Sequence, residues 1–407
     1  MQEKNIKSLS FGCRLNALEC EKIKSHLVQH VDSAVIVNTC SVTAEAERQS
    51  AQSVRRISRE NPNVPIFVTG CGATRNAKLF ESIPNTVVIP NASKMDMARY
   101  IDGLAKLNRG GEIMSFPHET PDLSKQFIQI QNGCNHKCTY CVTRLLRGPA
   151  VSFPYDDILA DARAAVQRGF YEIVITGVDS ASYAYKMGDK FIFISDVCKM
   201  LLRDVPEIQH LRISSLDPAS PEIFKIIDLI HSDKRMMPHL HLSMQSGSDT
   251  ILAAMGRRHN ADTVRKIVAA ADDITFSWDI ICGFPGETEE LFAETLDLVR
   301  EVKPIRIHAF PYSPRPGTVG ATMPNQVPRN ISKTRVHKIT ELADKNMADF
   351  MATCIGKTVS VLVENKNIGR TPNDIDIVIG GATIPTKTIC DVKITSIKNG
   401  QFSGERI

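Results

Sequence analysis

Three times near its start, this chain runs a short apolar segment into a cysteine and then into a helix-period stretch. Leu9-Ser10-Phe11 leads to Gly12-Cys13, Ala34-Val35-Ile36-Val37 ends at Asn38-Thr39-Cys40, and Pro65-Ile66-Phe67-Val68 ends at Thr69-Gly70-Cys71. Helical periodicity follows from about Ala17 to Val28 and from about Glu45 to Arg59. Short apolar runs alternating with helices predict a parallel sheet covered on both faces. Ligands of such sheets gather outside the carboxyl ends of the strands. Cys13, Cys40 and Cys71 would converge there as a three-cysteine cluster site. Three unrelated buried thiols would not recur at one topological position.

Beyond this segment, Asn108-Arg109-Gly110-Gly111 and Pro117-His118-Glu119-Thr120-Pro121 read as linker, with a boundary near residue 120. Six further strand–helix units follow. Their strands are read at Phe127–Ile130, Glu172–Ile175, Leu211–Ser214, His239–Leu242, Asp279–Ile281 and Ile305–His308. Six parallel units make an incomplete eight-fold barrel, with chemistry at the carboxyl ends of its strands. Just past the first of them, Cys134, Cys138 and Cys141 stand in the spacing Cys-x-x-x-Cys-x-x-Cys. Thiolates so placed can hold three irons of a cubane cluster and leave the fourth open to a ligand. A structural zinc site would want a fourth ligand, and His136 is the only local candidate. The other strand ends suggest what an open iron would bind. Thr176, Gly177 and Asp179 offer backbone groups and a carboxylate to an ammonium. Ser214, Ser215 and Gln245 suit hydroxyls and a carboxylate, and Ile281 could pack an adenine.

After a basic helix from about Lys333 to Met351, short strands between Gly and Asn turns predict a small β-barrel. The fold class is therefore α/β: an amino-terminal parallel sheet over 1–120, a central partial barrel over 121–350 and a carboxyl-terminal β-barrel over 351–407. A length of 407 residues accommodates these domains. No stretch approaches the roughly 20 apolar residues of a membrane span, and the polar start carries no signal-peptide core. With eleven cysteines in a chain read as cytoplasmic, metal or catalysis is a better use for thiols than disulfides. A net charge of +4 permits an acidic polymer as partner without demanding one.

The cysteine loop, with Tyr140 before its last cysteine, resembles the radical S-adenosylmethionine signature. Resemblance extends along nearly the whole chain. Gly12-Cys13-Arg14-Leu15-Asn16 with Glu19, Val37 to Thr43, Gly70-Cys71, Gln131 to Asn135, Ile213-Ser214-Ser215, Met244 to Ser248, Met255 to Arg258 and Gly283 to Thr288 are similar to motifs of methylthiotransferases. The amino-terminal domain then resembles a Rossmann-like sheet, and the carboxyl-terminal one the OB-like TRAM module. Departures from the family pattern are Thr74, where Gln often stands, and the absence of proline soon after Cys141.

This resemblance implies two [4Fe-4S] clusters, one on Cys134, Cys138 and Cys141 and one on Cys13, Cys40 and Cys71. S-adenosyl-L-methionine would chelate the open iron of the first, with Tyr140 among its contacts, and reductive cleavage would yield a radical that takes hydrogen from the substrate. The second cluster would handle the sulfur. An electron donor such as a flavodoxin or ferredoxin is implied as partner, and a monomer is expected. Among the branches, Asn16, Glu19 and Thr43 look most like the one that modifies threonylcarbamoyl-adenosine of tRNA beside the anticodon. Alternatives are isopentenyl-adenosine of tRNA and an aspartate of a ribosomal protein. A different class is an iron–sulfur redox sensor that binds RNA without turnover, for which the ordered barrel-mouth motifs have no use. Candidate phosphate contacts are Arg257 and Arg258 above all, then Arg144, Arg147, Arg315, Arg329, Lys333 and Arg335. The target base would have to flip into the barrel mouth.

Overall fold

A computed structural model describes residues 5–107, 113, 124–271 and 273–407. The linker read over Asn108–Gly111 and Pro117–Pro121, with its boundary, lies outside the described residues. The first body comprises β1 (Asn5–Ser10), α1 (Arg14–Leu27), β2 (Ser33–Thr39), α2 (Ala44–Glu60), β3 (Ile66–Gly70), α3 (Cys71–Arg75), α4 (Ala77–Glu81), β4 (Thr86–Val88) and α5 (Met97–Leu107). Its strands form one sheet in the order β1-β2-β3-β4, parallel throughout. Both faces of β2 and β3 are buried, which is why their sequences read as unbroken apolar runs. Thr43 fixes the start of α2 by accepting from the Ala46 amide at 3.1 Å.

Next come β5 (Gln126–Asn132), α6 (Thr143–Arg147), β6 (Val151–Ser152), α7 (Tyr155–Gln167), β7 (Glu172–Gly177), the hairpin β8 (Ala184–Met187) and β9 (Lys190–Phe193), and α8 (Ile194–Asp204). They are followed by β10 (His210–Ile213), α9 (Glu222–Ser232), β11 (His239–Gln245), α10 (Asp249–Ala254), α11 (Ala261–Ala269), β12 (Thr275–Cys282), α12 (Glu289–Val302), β13 (Arg306–Pro311) and α13 (Arg329–Ala352). The six parallel strands fall into two sheets, β10-β7-β5 with β6 antiparallel at its edge, and β11-β12-β13. Among the described residues, only the bridges Leu211–Met236 and Leu216–Leu242 join the two. The result is an open partial barrel, packed by one core that takes residues from every one of these strands except β5's edge partner β6.

A closed barrel ends the chain, built from β14 (Thr358–Asn365), β15 (Ile368–Arg370), β16 (Asp376–Gly380), β17 (Ile389–Lys398) and β18 (Gln401–Arg406). It sits at the amino-terminal ends of the central strands, opposite the cysteine loop. Glu172 and His210, the first residues of β7 and β10, form a buried pair at 2.9 Å, and Arg212 Nε reaches Glu172 at 2.8 Å. The remaining guanidinium arms of Arg212 donate to the carbonyls of Thr371 and Pro372, while Arg306 at the start of β13 pairs with Asp374 at 2.9 Å. Among the described residues no helix is long and apolar enough to cross a membrane.

Glu172 is fully buried, so burial alone would raise its pKa; Arg212, His210 and Lys125 together bring it down to about 2. Its charge therefore stabilises the folded state above the ordinary glutamate range near 4.5 and loses that contribution as pH falls toward about 2. Glu172→Ala strands Arg212 without a counter-charge and His210 without its hydrogen-bond partner, and is expected to cost about 3–5 kcal/mol. Urea unfolding between pH 6 and 3 checks this: the gap between wild type and variant should narrow on acidification.

Candidate active site at the barrel mouth

Everything chemical lies at the carboxyl ends of the strands. Gly133 turns β5 into the cysteine loop with φ of +70°, and a Cβ there would strike the carbonyl of Pro149. Gln131 braces the turn. Its Nε2 donates to the Gly133 carbonyl at 2.8 Å, and its Oε1 accepts from the Asp179 amide at 2.9 Å. Backbone amides then point at sulfur, His136 N at 3.4 Å from Cys134 Sγ and Thr143 N at 3.4 Å from Cys141 Sγ. Arg257 Nη1 lies 3.7 Å from Cys138 Sγ.

The loop lines one side of a cavity of about 290 Å³. Of the residues expected to meet the cofactor, Tyr140, Asp179, Ser215, Gln245 and Ile281 line it. Thr176, Gly177 and Ser214 are not among its lining residues: the Ser214 hydroxyl donates to Thr176 Oγ1 at 3.1 Å, and Gly177 packs on Gln131. These residues are used for packing between neighbouring strands. Gln245 ends β11 with φ of +73°, where the ladder to β12 shifts register, so its backbone is held in a region that non-glycine residues seldom occupy.

His136, the local candidate for a fourth ligand, is already paired. Its Nε2 is 2.6 Å from Asp179 Oδ2, and that oxygen also accepts from Ser182 at 2.5 Å. Cys134, His136 and Asp179 present ligand atoms within 4.8 Å of one another. Asp217 had not been singled out from sequence, yet Arg257 and Arg258 both pair with it, at 3.0 and 2.9 Å. Burial would raise its pKa, but Arg257, the Ala219 amide and Arg258 bring it below the ordinary aspartate range. His259 behind them is pushed down to about 4 by burial and by Arg257, and so stays neutral.

This geometry corrects the reading of Arg257 as an RNA contact. Its guanidinium is buried and donates to Asp217 and to the Ser243 carbonyl at 2.7 Å, so it belongs to the cavity wall. Arg258 also pairs with Asp217 but remains half exposed. Arg147, Arg315 and Arg335 are likewise buried, against Glu19, Glu47 and Glu287. Arg144, Arg329 and Lys333 are exposed.

The amino-terminal thiols stand at the carboxyl ends of β1, β2 and β3, with Cys13 and Cys71 near enough to act on Cys40. Gly12, with φ of +84°, lies so near Cys40 that a Cβ would come within 2.5 Å of its Sγ. Cys40 and Cys71 are buried; Cys13 starts α1 without capping it and is exposed. Val42 N points at Cys40 Sγ at 3.5 Å, and Asn91 Nδ2 at Cys71 Sγ at 3.4 Å. Burial, then the neighbouring Cys71 and Cys13, push the Cys40 thiol up to about 11; burial, then Asp179, Cys141 and Cys138, do the same to Cys134. Val42 and Thr43, just after Cys40, line the cavity opposite the loop. Cys20, Cys198, Cys282, Cys354 and Cys390 are all buried, free and away from both groups, as their spacing predicts.

Comparison with known proteins gives these two cysteine groups a common setting. Residues 128–299 match the radical SAM superfamily, and residues 5–90 match the uncharacterized protein family UPF0004. Threonylcarbamoyladenosine tRNA methylthiotransferase MtaB of Rickettsia prowazekii is 38% identical over 382 residues, covering 91% of this chain and 90% of that protein. The protein of the same name from Bacillus subtilis is 30% identical and covers 97% and 95%. A tRNA-2-methylthio-N(6)-dimethylallyladenosine synthase of Tropheryma whipplei is 32% identical and covers 89% and 84%. Among solved structures, the radical S-adenosylmethionine methyltransferase TsrM of Kitasatospora setae, with cobalamin and a [4Fe-4S] cluster bound, shares the fold. Its TM-score is 0.55 at 12% identity, over 78% of this chain and 77% of that one. A match that runs nearly end to end at this level of identity settles the assignment: the chain belongs to the radical S-adenosylmethionine methylthiotransferase family.

Proposed function

We propose that the protein transfers a methylthio group to carbon two of threonylcarbamoyl-adenosine beside the anticodon of tRNA, using S-adenosyl-L-methionine and two [4Fe-4S] clusters. The observation that carries this reading is that one cavity is lined by the loop thiols Cys134, Cys138 and Cys141 and by Val42 and Thr43, which directly follow Cys40 of a second three-thiol group on the ends of β1, β2 and β3. A single group would suffice for radical cleavage alone.

Both sites fit such clusters by their donor chemistry. Each offers three thiols with N–H groups aimed at sulfur, the usual way a protein tunes a cluster. Thiols pushed up by burial, as at Cys40 and Cys134, gain a reason to ionise when a metal replaces their protons. A cluster on the loop supplies reductive cleavage of S-adenosyl-L-methionine and hence hydrogen abstraction. The chain's own residues do the rest. Asp179 and Gln245 present polar groups to the cavity, Ile281 and Tyr140 give it apolar walls, and Arg257 with Asp217 holds Cys138 in place. Phe310 stands in the same lining while remaining 45% exposed, a surface on which a flipped base can stack.

For the substrate, support comes from Asn16, Glu19 and Thr43 and from relatives named for threonylcarbamoyladenosine, one of them at 38% identity. Mass analysis of tRNA nucleosides from a deletion strain tests it. The methylthio derivative of threonylcarbamoyl-adenosine should vanish, and its persistence sinks the proposal. Loss of the isopentenyl derivative instead would move the protein to the branch named for dimethylallyladenosine. Unaltered tRNA with an unmodified ribosomal-protein aspartate would move it to the third branch.

A further inference from the structure

The amino-terminal thiol group has a charged shell of its own. Lys94 and Arg147 converge on one carboxylate, Lys94 Nζ at 2.5 Å and Arg147 Nη1 at 2.9 Å from Glu19 Oε1. All three side chains are at most 4% exposed, so water screens none of them. Two cations over one anion leave one positive charge buried and uncompensated, which is costly in a protein interior. Among the described residues, the anionic partners that act on Arg147 besides Glu19 are the sulfurs of Cys71 and Cys13. Lys94 Nζ donates to Asn91 Oδ1 at 3.1 Å, and Asn91 Nδ2 in turn donates to Cys71 Sγ at 3.4 Å. Arg147 feels the charge of both Cys71 and Cys13. Its second arm binds Asn16 Oδ1 at 2.7 Å, three residues beyond Cys13. Burial pulls Lys94 below the ordinary lysine range, with Glu19 and Cys71 opposing, as befits a cation short of a counter-charge.

An oxidised cubane core on three thiolates carries a single net negative charge, and one-electron reduction adds a second. That first charge equals the buried surplus. We propose that Lys94 and Asn91 set the reduction potential of the cluster on Cys13, Cys40 and Cys71: Lys94 as part of its counter-charge, and Asn91 as the donor that carries this polarisation to Cys71 sulfur. The electron comes from the external reductant and no bond is made or broken. Lys94 and Asn91 are positioning residues here, acting through charge and one N–H···S contact. The inference rests on the reading of those cysteines as a cluster site.

The test is a redox titration of the anaerobically reconstituted full chain, poised with dithionite and followed by electron paramagnetic resonance. Lys94→Gln should lower the reduced fraction of the amino-terminal cluster at least tenfold at fixed potential, which is 59 mV for one electron. Asn91→Leu should shift it in the same direction, Lys94→Arg should restore it, and the signal that responds to S-adenosyl-L-methionine should stay where it is. About eight irons per chain with potentials unmoved in both variants overturns this inference and leaves the two-cluster reading standing. About four irons in the wild type overturns that reading and the inference with it. Failure of Lys94→Arg to restore the potential, or loss of iron from both neutral variants with the fold retained, means a purely structural role and also overturns it.

Discussion

Cys138→Ala is expected to reduce cleavage of S-adenosyl-L-methionine to background, a loss well beyond the roughly 10–100-fold that follows removal of a metal's outer partners. Cys138 is the middle thiol of the loop, and its sulfur receives Arg257 at 3.7 Å, so the change removes a donor and unpartners a buried guanidinium arm together. Two thiols cannot hold a cubane that needs three. Iron should drop from about eight to about four per chain, and 5′-deoxyadenosine should not accumulate under dithionite. Cys390→Ala is the control, because Cys390 is a buried thiol of the small barrel with no role in either group. Cleavage that survives Cys138→Ala would remove the loop from the chemistry.

Much of this site was legible because it depends on local rules. A strand buried on both faces reads as an apolar run, so β2, β3 and β7 announce themselves, and with them the ends where Cys40, Cys71 and Asp179 sit. By contrast β12, with Thr275, Ser277 and Asp279 in it, was read only over its last residues. What stayed hidden was written in neither period nor spacing. The hairpin β8–β9 has only Ile192 well buried, and β15 is three residues long, so neither carries an apolar pattern. β18 keeps only Phe402 and Gly404 inward.

Charged partners were the least legible of all. Arg147 and Glu19 are 128 residues apart, Arg315 and Glu47 268. A basic residue alone cannot say whether its charge faces a phosphate or a distant carboxylate. Four arginines read as RNA contacts, Arg147, Arg257, Arg315 and Arg335, are instead buried against carboxylates distant in sequence. Asp217 was missed for the same reason: an isolated aspartate past a strand end gains meaning only when Arg257 and Arg258 close on it. The opposite face of the barrel repeats the lesson, since Glu172, Arg212 and Asp374 make a buried polar junction whose members lie in separate elements.

Cys40→Ala should divide the reaction where Cys138→Ala stops it. Cys40 lies at the end of the central strand pair, flanked by Gly12 and by the Val42 amide, with Cys13 and Cys71 on either side in the sheet order. Removing one sulfur leaves the loop after β5, Asp179, Gln245 and Arg257 untouched, so 5′-deoxyadenosine should still form within a few-fold of the wild-type rate. Methylthio product should fall to background, more than roughly 100-fold, and iron should again drop to about four per chain, this time with the loop's spectral response to S-adenosyl-L-methionine retained. Because Val42 and Thr43 line the shared cavity, some rise in KM for S-adenosyl-L-methionine is tolerable; a fall in its maximal cleavage rate is not. Cys20→Ala in the neighbouring helix, whose thiol only approaches the Leu9 carbonyl at 3.9 Å, should preserve both activities. Methylthiolation that persists in Cys40→Ala would mean that the amino-terminal thiols do not handle sulfur. The convergence of three strand ends would then be architecture alone.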